Sequence, residues 1–597
     1  MKKSFKYICI GILGSLALSS CSDQVLDLEP LDNPTDATFF SNENELQLAI
    51  NGVYGRLNEP QQENIPLVMY MDAILTDNAL YRITDDNDGL RALSNSAHDP
   101  SSGFGFYRSY YRAIGRANAI LDNMERAAEV VEQAKLDDFR AQALTLRAYY
   151  YHFLIEFWGD VPFIDFLPSD DPTAAFLPRT PKAEIVQRLL SDLNEAAGLI
   201  DLGLTGQQER VTLAVIHGLR ARIALYSGDF NAASSAADAA LAAAGAQGIS
   251  LHPDYGELFA PAGENSAEIM LKVPYDESFR THNIPLRQGY RFGSIFSQHL
   301  PTQNLVDVYP TVNGLPIDED PAYNPQDPWS NRDPRMRASI VFPQDLWGGY
   351  IHESHRDSLE TTRFIDGEAT RVVNENCRSA QWPAGLSGYL WKKFTDIDAV
   401  AANQGASDND FILMRLGEIL LIKAEAEIEL NGDLTAARDA LNQIRQRAWG
   451  GGTFPAITET SQAGLRKILR IERRIELANE GFRYIDMLRW RIAEKVRGEA
   501  LIGRVLDLPS ASTASIPSID GDGVVTYPDR SEYDDWRSLL VDGIVDPTAY
   551  DSRLFGNWQN AHERNFAVPR DYLLPIPQSE IDLYTANGFT IEQSPGY

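Results

Sequence analysis

Three short stretches gather groups that could hold a metal or a phosphate. His352-Glu353-Ser354-His355 offers imidazoles and a carboxylate, the donor types of a zinc site. Its histidines stand three apart, one short of the H-E-x-x-H spacing that sets both on one helix face, and no third ligand is near. A solvated polar loop is expected there. Asp520-Gly521-Asp522-Gly523 lacks the third acidic position, the glycine at position six and the closing glutamate of a calcium loop. A hairpin turn leading into Val524-Val525-Thr526-Tyr527 is expected instead. Gly103-Phe104-Gly105 has neither a third glycine nor a preceding strand, so it is no phosphate cradle. Neither G-x-S-x-G nor G-x-x-x-x-G-K-[ST] occurs. Cys377 has no indicated base and reads as a lone thiol. Carboxylates are too numerous for a glycosidase pair to be picked out. No catalytic residue, metal or cofactor is expected.

One cysteine does invite chemistry. Lys2, Lys3 and Lys6 precede an apolar run from Ile8 to Leu18, the layout of a signal peptide and too short to span a bilayer. Leu18-Ser19-Ser20-Cys21 follows. It resembles a lipobox, where cleavage falls before the cysteine and its thiol is acylated. Buried acyl CH₂ groups contribute ~0.8 kcal/mol each, so two or three chains anchor a protein stably. No later apolar run is long enough to cross a membrane. The mature chain is expected to hang from a membrane by Cys21, on the polar tether that begins at Ser22.

Asp and Glu number 84 against 53 Lys and Arg, a formal charge of -31. Nucleic acid and anionic lipid head groups need a basic face, so both are excluded as partners. Only Cys377 remains once Cys9 leaves with the signal peptide and Cys21 is acylated, so no internal disulfide is available. Stability must come from packing. At 597 residues the chain exceeds the ~250–300 at which single cores stop growing.

The elements that would position a site are mostly helical. Tyr107, Tyr110, Ile114, Ala117, Leu121 and Met124 recur at three- and four-residue steps, as do Phe139, Ala143, Leu146, Tyr150 and Phe157. The second run stops at Gly159-Asp160-Val161-Pro162. A third passes through Ile185, Leu189 and Leu193, with Thr180 as expected N-cap. Leu225-Tyr226-Ser227-Gly228-Asp229-Phe230 and Leu430-Asn431-Gly432-Asp433-Leu434 each read as a helix, a Gly-Asp turn and a second helix with alanines on one face. In each, Gly would end the first helix left-handed and Asp would cap the second. These are αα-hairpins of tetratricopeptide type, but about 200 residues apart against the ~34 of a tandem array. Residues 246–410 intervene, rich in proline and aromatics and without helical period; binding residues favour such loops on rigid scaffolds. An amphipathic helix is expected from Phe411 and another through Leu465 to Leu477. Ala511 to Asp535 reads as a polar surface excursion. The chain thus divides into a signal peptide (1–20), a tether with helical scaffold (21–245), a loop-rich insertion (246–410) and a C-terminal helical part (411–597).

Four stretches together resemble the SusD/RagB family of outer-membrane lipoproteins. They are the lipobox start; Phe139-Arg140-Ala141 through Arg147-Ala148-Tyr149-Tyr150-Tyr151 to Trp158-Gly159-Asp160-Val161-Pro162; Glu472-Arg473-Arg474-Ile475-Glu476-Leu477 with Glu480-Gly481-Phe482-Arg483 and Asp486-Met487-Leu488-Arg489-Trp490; and Leu574-Pro575-Ile576-Pro577 with Ser594-Pro595-Gly596-Tyr597. Asn479 and Ser594 depart from the family pattern. Read from the residues, Arg473, Arg474, Glu476, Glu480 and Arg483 fall at helical steps and form an ion-pair ladder fixing helix to helix. The resemblance implies a mainly α fold: a tetratricopeptide-like helix-pair scaffold with a large irregular binding insertion. It implies a lipid-anchored protein facing the cell exterior at the outer membrane, with no enzymatic activity. Such a protein captures a glycan or oligosaccharide and passes it to a SusC-like TonB-dependent transporter. Peptide capture, as in RagB-like members, or surface glycoside hydrolysis are the alternatives.

A glycan offers hydroxyls and flat C–H faces, on which aromatic rings stack. The candidate rings in the insertion are Tyr290, Trp329, Trp347 and Trp382. The resemblance adds the early region, here Asp72, Asp77, Asn78 and Tyr81.

Overall fold

The computed structural model describes residues 39–597 except 58–59, 63, 82–87, 103, 169–170, 202–207, 293–295, 326, 355–357, 377–386, 403–404, 499–500, 502–515 and 528–563. Eight helices form the scaffold: α1 (Phe106–Asn123), α2 (Gln133–Trp158), α3 (Lys182–Leu199), α4 (Leu213–Tyr226), α5 (Phe230–Ala246), α6 (Leu416–Leu430), α7 (Leu434–Ala448) and α8 (Gln462–Glu476). Each packs on the next from α1 to α7, and α8 lies against α6 and α7. No described helix is long and apolar enough to cross a membrane.

The two helical hairpins are direct neighbours: α5 packs on α6. Ala233, Ala236, Ala237, Ala240 and Ala244 are buried along α5, and their small side chains allow helices on either side to approach. In the first hairpin Gly228 is left-handed (φ +82) and Asp229 accepts from the Ala232 amide at 3.0 Å. In the second, Asn431 rather than Gly432 takes the left-handed position (φ +50), and Asp433 accepts from Ala436 N at 2.9 Å. Asparagine tolerates that region because its short amide bonds locally.

Three local expectations are corrected. The N-terminus of α3 is met by Asp160, whose carboxylate accepts from Lys182 N at 2.8 Å; Thr180 is occupied in a backbone bridge with Val161. Phe411–Arg415 is a buried strand, not the start of a helix. It pairs antiparallel with Ile269–Val273, so this stretch is buried on both faces and α6 begins only at Leu416. Ser518–Ile519 and Val525–Thr526 form the hairpin expected around Asp520, but Ile519, Val524, Val525 and Tyr527 are buried, so residues 516–527 are no surface excursion.

Ion pairing does fix helix to helix, through partners on other elements. Glu472, Glu476 and Glu480 join Glu268 and Asp333 against Arg335, Arg415, Arg445, Arg447 and Lys393. Arg415 reaches Glu268, Glu476 and Glu480 at 2.8 Å each. Five cations meet five carboxylates with almost no solvent exposure. Burial opposes ionisation of Glu476, but Arg447, Arg415 and Arg335 overcome it and hold its carboxyl well below the usual range. Arg473 and Arg489 both bind Asp486 at 2.8 Å. The C-terminal segment closes the scaffold: Trp158 Nε1 donates to Pro575 O at 2.9 Å, and Leu574 N to Phe157 O at 2.7 Å. Two sequence motifs distant in the chain are thereby one contact.

Candidate functional site

The insertion carries a four-stranded antiparallel sheet that projects from the scaffold. Its strands are β1 (Leu346–Trp347), β2 (Tyr350–Ile351), β3 (Glu360–Ile365) and β4 (Glu368–Val373), hydrogen-bonded in that order. Gly348 (φ +55) and Gly349 (φ +79) form the two-residue turn between β1 and β2. Positive φ at both central residues is the geometry that matches strand twist in a tight hairpin. The turn sets Trp347 directly across from Tyr350, and Tyr350 is in turn paired with Arg363, which pairs with Thr370. Directly opposed residues share a sheet face. One face therefore bears Trp347, Tyr350, Arg363 and Thr370 in a row.

Tyr350 lies in a stack. Phe292 is parallel to it, centroids 4.1 Å apart and planes at 10°. The Arg363 guanidinium carbon is 5.1 Å from the same centroid. A ring face covered by a parallel phenyl has no room for a guanidinium as well, so Arg363 sits on the opposite face. Beneath, Tyr290 is almost fully buried and donates its hydroxyl to Trp347 O; its ring lies 5.0 Å from the Trp347 ring. Burial pushes the Tyr290 phenol up, and Asp345 adds to the effect. Leu80, Leu300, Val341 and Leu390 complete the apolar floor. Phe292, Trp347 and Tyr350 are half-buried and Arg363 exposed. The arrangement offers three half-exposed rings on a preformed base, with the Arg363 N–H donors beside them.

The structure brings Tyr290 and Trp347 together and takes other sequence candidates elsewhere. Asp77 is buried between Arg483 (2.9 Å) and Arg474 (3.0 Å), and Asn78 accepts from Arg474 Nε at 2.8 Å. Despite burial, Arg474 and Arg483 hold the Asp77 carboxyl well below its ordinary value. Asp72, also buried, is pushed up to about 7 by burial, partly offset by Arg483. Tyr81 is buried with its ring 4.5 Å from that of His299. These four side chains are buried in the core. Trp329 is part-buried and donates from Nε1 to the Tyr389 hydroxyl at 3.3 Å. Cys21, Cys377 and Trp382 lie outside the described residues. The expectation of a solvated loop at His352 is corrected: His352 and Ser354 are buried, and both bond Gly388 O. His355 is outside the described residues, among which no three-residue metal cluster occurs.

Phe292, Tyr350 and Arg363 were not singled out from the sequence. A signal for two of the sheet's positions was present: Gly-Gly flanked by aromatics is a hairpin turn, which sets Trp347 opposite Tyr350.

A model described as the SusD family matches residues 282–597, more than half of the chain. A second, described as starch-binding associating with outer membrane, matches residues 25–225. The chain is 26% identical over 507 residues to SusD-like protein P2 of Formosa agariphila, covering 83% of this chain and 92% of that one. A SusD-like carbohydrate binding protein from Bacteroides fragilis has the same fold, with TM-score 0.70 at 21% identity over 92% of this chain and 99% of that one. Surface glycan-binding protein A from Bacteroides fluxus aligns with TM-score 0.62 at 18% identity, over 93% and 100%.

Proposed function

The chain belongs to the SusD family, and from that membership we propose that it captures a glycan on the Trp347 face of the projecting sheet without performing chemistry on it. Anchored by acylated Cys21 at the outer membrane and facing outward, it delivers the ligand to a SusC-like TonB-dependent transporter.

The observation that carries this reading is the half-exposed Trp347 beside the Phe292–Tyr350 stack, held from below by buried Tyr290. Sugar rings present flat C–H faces that gain from stacking on such aromatics, and a preformed base spares the ordering cost of binding. Asp72, Asp77, Asn78, Tyr81 and Tyr290 support the fold in this reading, while Trp347 contacts ligand. The relatives named as carbohydrate- and glycan-binding proteins add to its support.

A peptide ligand is the second reading, favoured by one feature. β4 is an exposed edge strand paired on one side only, and extended peptides add to such edges.

Soluble chain beginning at Ser22, titrated calorimetrically against polysaccharides, oligosaccharides and peptides, separates these readings. Glycan binding with the ligand recovered intact by chromatography is expected. Shortened glycan would make the protein an enzyme, and binding of peptides alone would move the site to the β4 edge.

A further inference from the structure

On the reading that the Trp347 face binds glycan, we propose that the glycan is acidic, bearing carboxylate or sulfate groups, and that Arg363 is the residue that selects it.

The argument begins with how Arg363 is held. Its guanidinium lies over Tyr350, whose other face is covered by Phe292. A guanidinium stacked on a ring keeps its N–H donors in its own plane and directed outward, a fork that matches two oxygens of one carboxylate or sulfate. Arginine loses much side-chain freedom on binding; here the stack has already restricted it. Among the described residues the fork has no hydrogen-bond acceptor. Among the described residues no carboxylate comes within ion-pairing distance of Arg363, in a chain where acids outnumber bases by 84 to 53.

The surrounding charges are otherwise engaged. Asp345 pairs with Arg337 at 2.8 Å, and Glu360 with Arg371 at 3.6 Å. Glu353 accepts from the Gln344 amide at 2.5 Å, and Glu375 faces Arg291. Glu368 shares the Arg363 face of β4 but sits at the hairpin end, opposite Ile365. Among the described residues, Arg363 is therefore the cation presented on this face beside the rings.

Spacing supports the assignment. Trp347 and Arg363 are on strands two steps apart in the sheet, roughly 10 Å from the inter-strand spacing. A sugar stacked on Trp347 places a charged group of the neighbouring sugar at the fork. An exposed arginine with no acidic partner gives a neutral glycan little that a glutamine would not. For an acidic glycan it supplies charge and geometry together.

The test compares wild type with Arg363→Gln, Arg363→Lys and Trp347→Ala. Each is titrated against neutral polysaccharides (dextran, laminarin, xylan, galactan) and acidic ones (polygalacturonate, alginate, sulfated galactan, sulfated fucan). The tightest ligand is expected to be acidic, with affinity falling as sodium chloride rises. Arg363→Gln is expected to weaken it at least tenfold and Arg363→Lys to restore only part. Trp347→Ala should weaken every glycan. Arg363 is exposed, so melting temperatures should match wild type. A neutral tightest ligand, or an acidic one that Arg363→Gln binds unchanged, overturns the inference and leaves glycan capture standing. Binding of no glycan overturns both.

Discussion

Asp77 takes two guanidinium groups at once, from Arg483 at 2.9 Å and Arg474 at 3.0 Å, and so ties the segment after the Leu67–Leu75 helix to the C-terminal helices. Replacing it by asparagine leaves two buried cations short of their counter-charge. Breaking a buried pair in this way costs about 3–5 kcal/mol. Urea unfolding of Asp77→Asn should show a loss of that size, while calorimetry on the folded protein gives unchanged glycan affinity. Lost affinity at intact stability would return Asp77 to the ligand site.

Asp72 should make stability fall with pH. Burial raises its carboxyl from 3.8 to about 7. Between those values the folded chain holds a proton that the unfolded chain has released, so stability decreases as pH rises through the window and levels off above it. Asp72→Asn removes that titration. The variant should gain about 2–3 kcal/mol on wild type between pH 5 and pH 8, from ~1.36 kcal/mol per pH unit. A stability difference that is the same at both pH values refutes the assignment.

Gly348 should be required for binding more than for folding. A Cβ there would meet Ile397 Cγ1 at 2.5 Å, and φ is +55. Gly348→Ala is expected to cost about 1–2 kcal/mol, by analogy with other strained backbone positions, and to move Trp347 off its base. Glycan affinity should drop at least tenfold, about 1.4 kcal/mol, with a cooperative melt retained. Unchanged affinity would separate the hairpin from the site.

Cys21→Ala should release the protein from membranes. In a Gram-negative host the wild type is expected in the membrane fraction, with acyl mass on its N-terminal peptide and labelling by palmitate. The variant should lack the acyl mass and be recovered soluble. A wild type with a free N-terminus at residue 21 or beyond would exclude the anchor.

Periodicity revealed helices such as α1 and α3 because they bury a stripe of side chains at helical steps. It failed at Phe411, where a strand and the helix after it are both buried on every side, so neither leaves a polar face to set the period. The family motifs were legible as architecture, since charges at helical spacing on a helix with a strong apolar face must find partners. Their partners, such as Arg415 for Glu480, lie on other elements and could not be read from spacing. Among the candidate rings, burial was the hidden variable. Tyr290 and Trp347 have equal claims as residue types, and only the Gly348-Gly349 turn decides which one faces water. Asp72 lies within the apolar Leu67–Leu75 helix, and Asp77 and Asn78 just after it are held in the core by Arg474 and Arg483 from the far end of the chain.

The contact between α5 and α6 joins segments ~170 residues apart, which makes it a late event in folding, because distant contacts must close a large loop first. A chain emerging from its N-terminus completes α5 long before α6 exists to cover it. Until residues 416–430 arrive, the alanine stripe of α5 has water where its neighbour belongs. A fragment ending at 410 would keep that surface open, along with the unpaired edge of Ile269–Val273 awaiting Phe411–Arg415. The 246–410 segment is thereby bracketed by contacts whose later half is made after it, so its final packing waits on residues that emerge after its own.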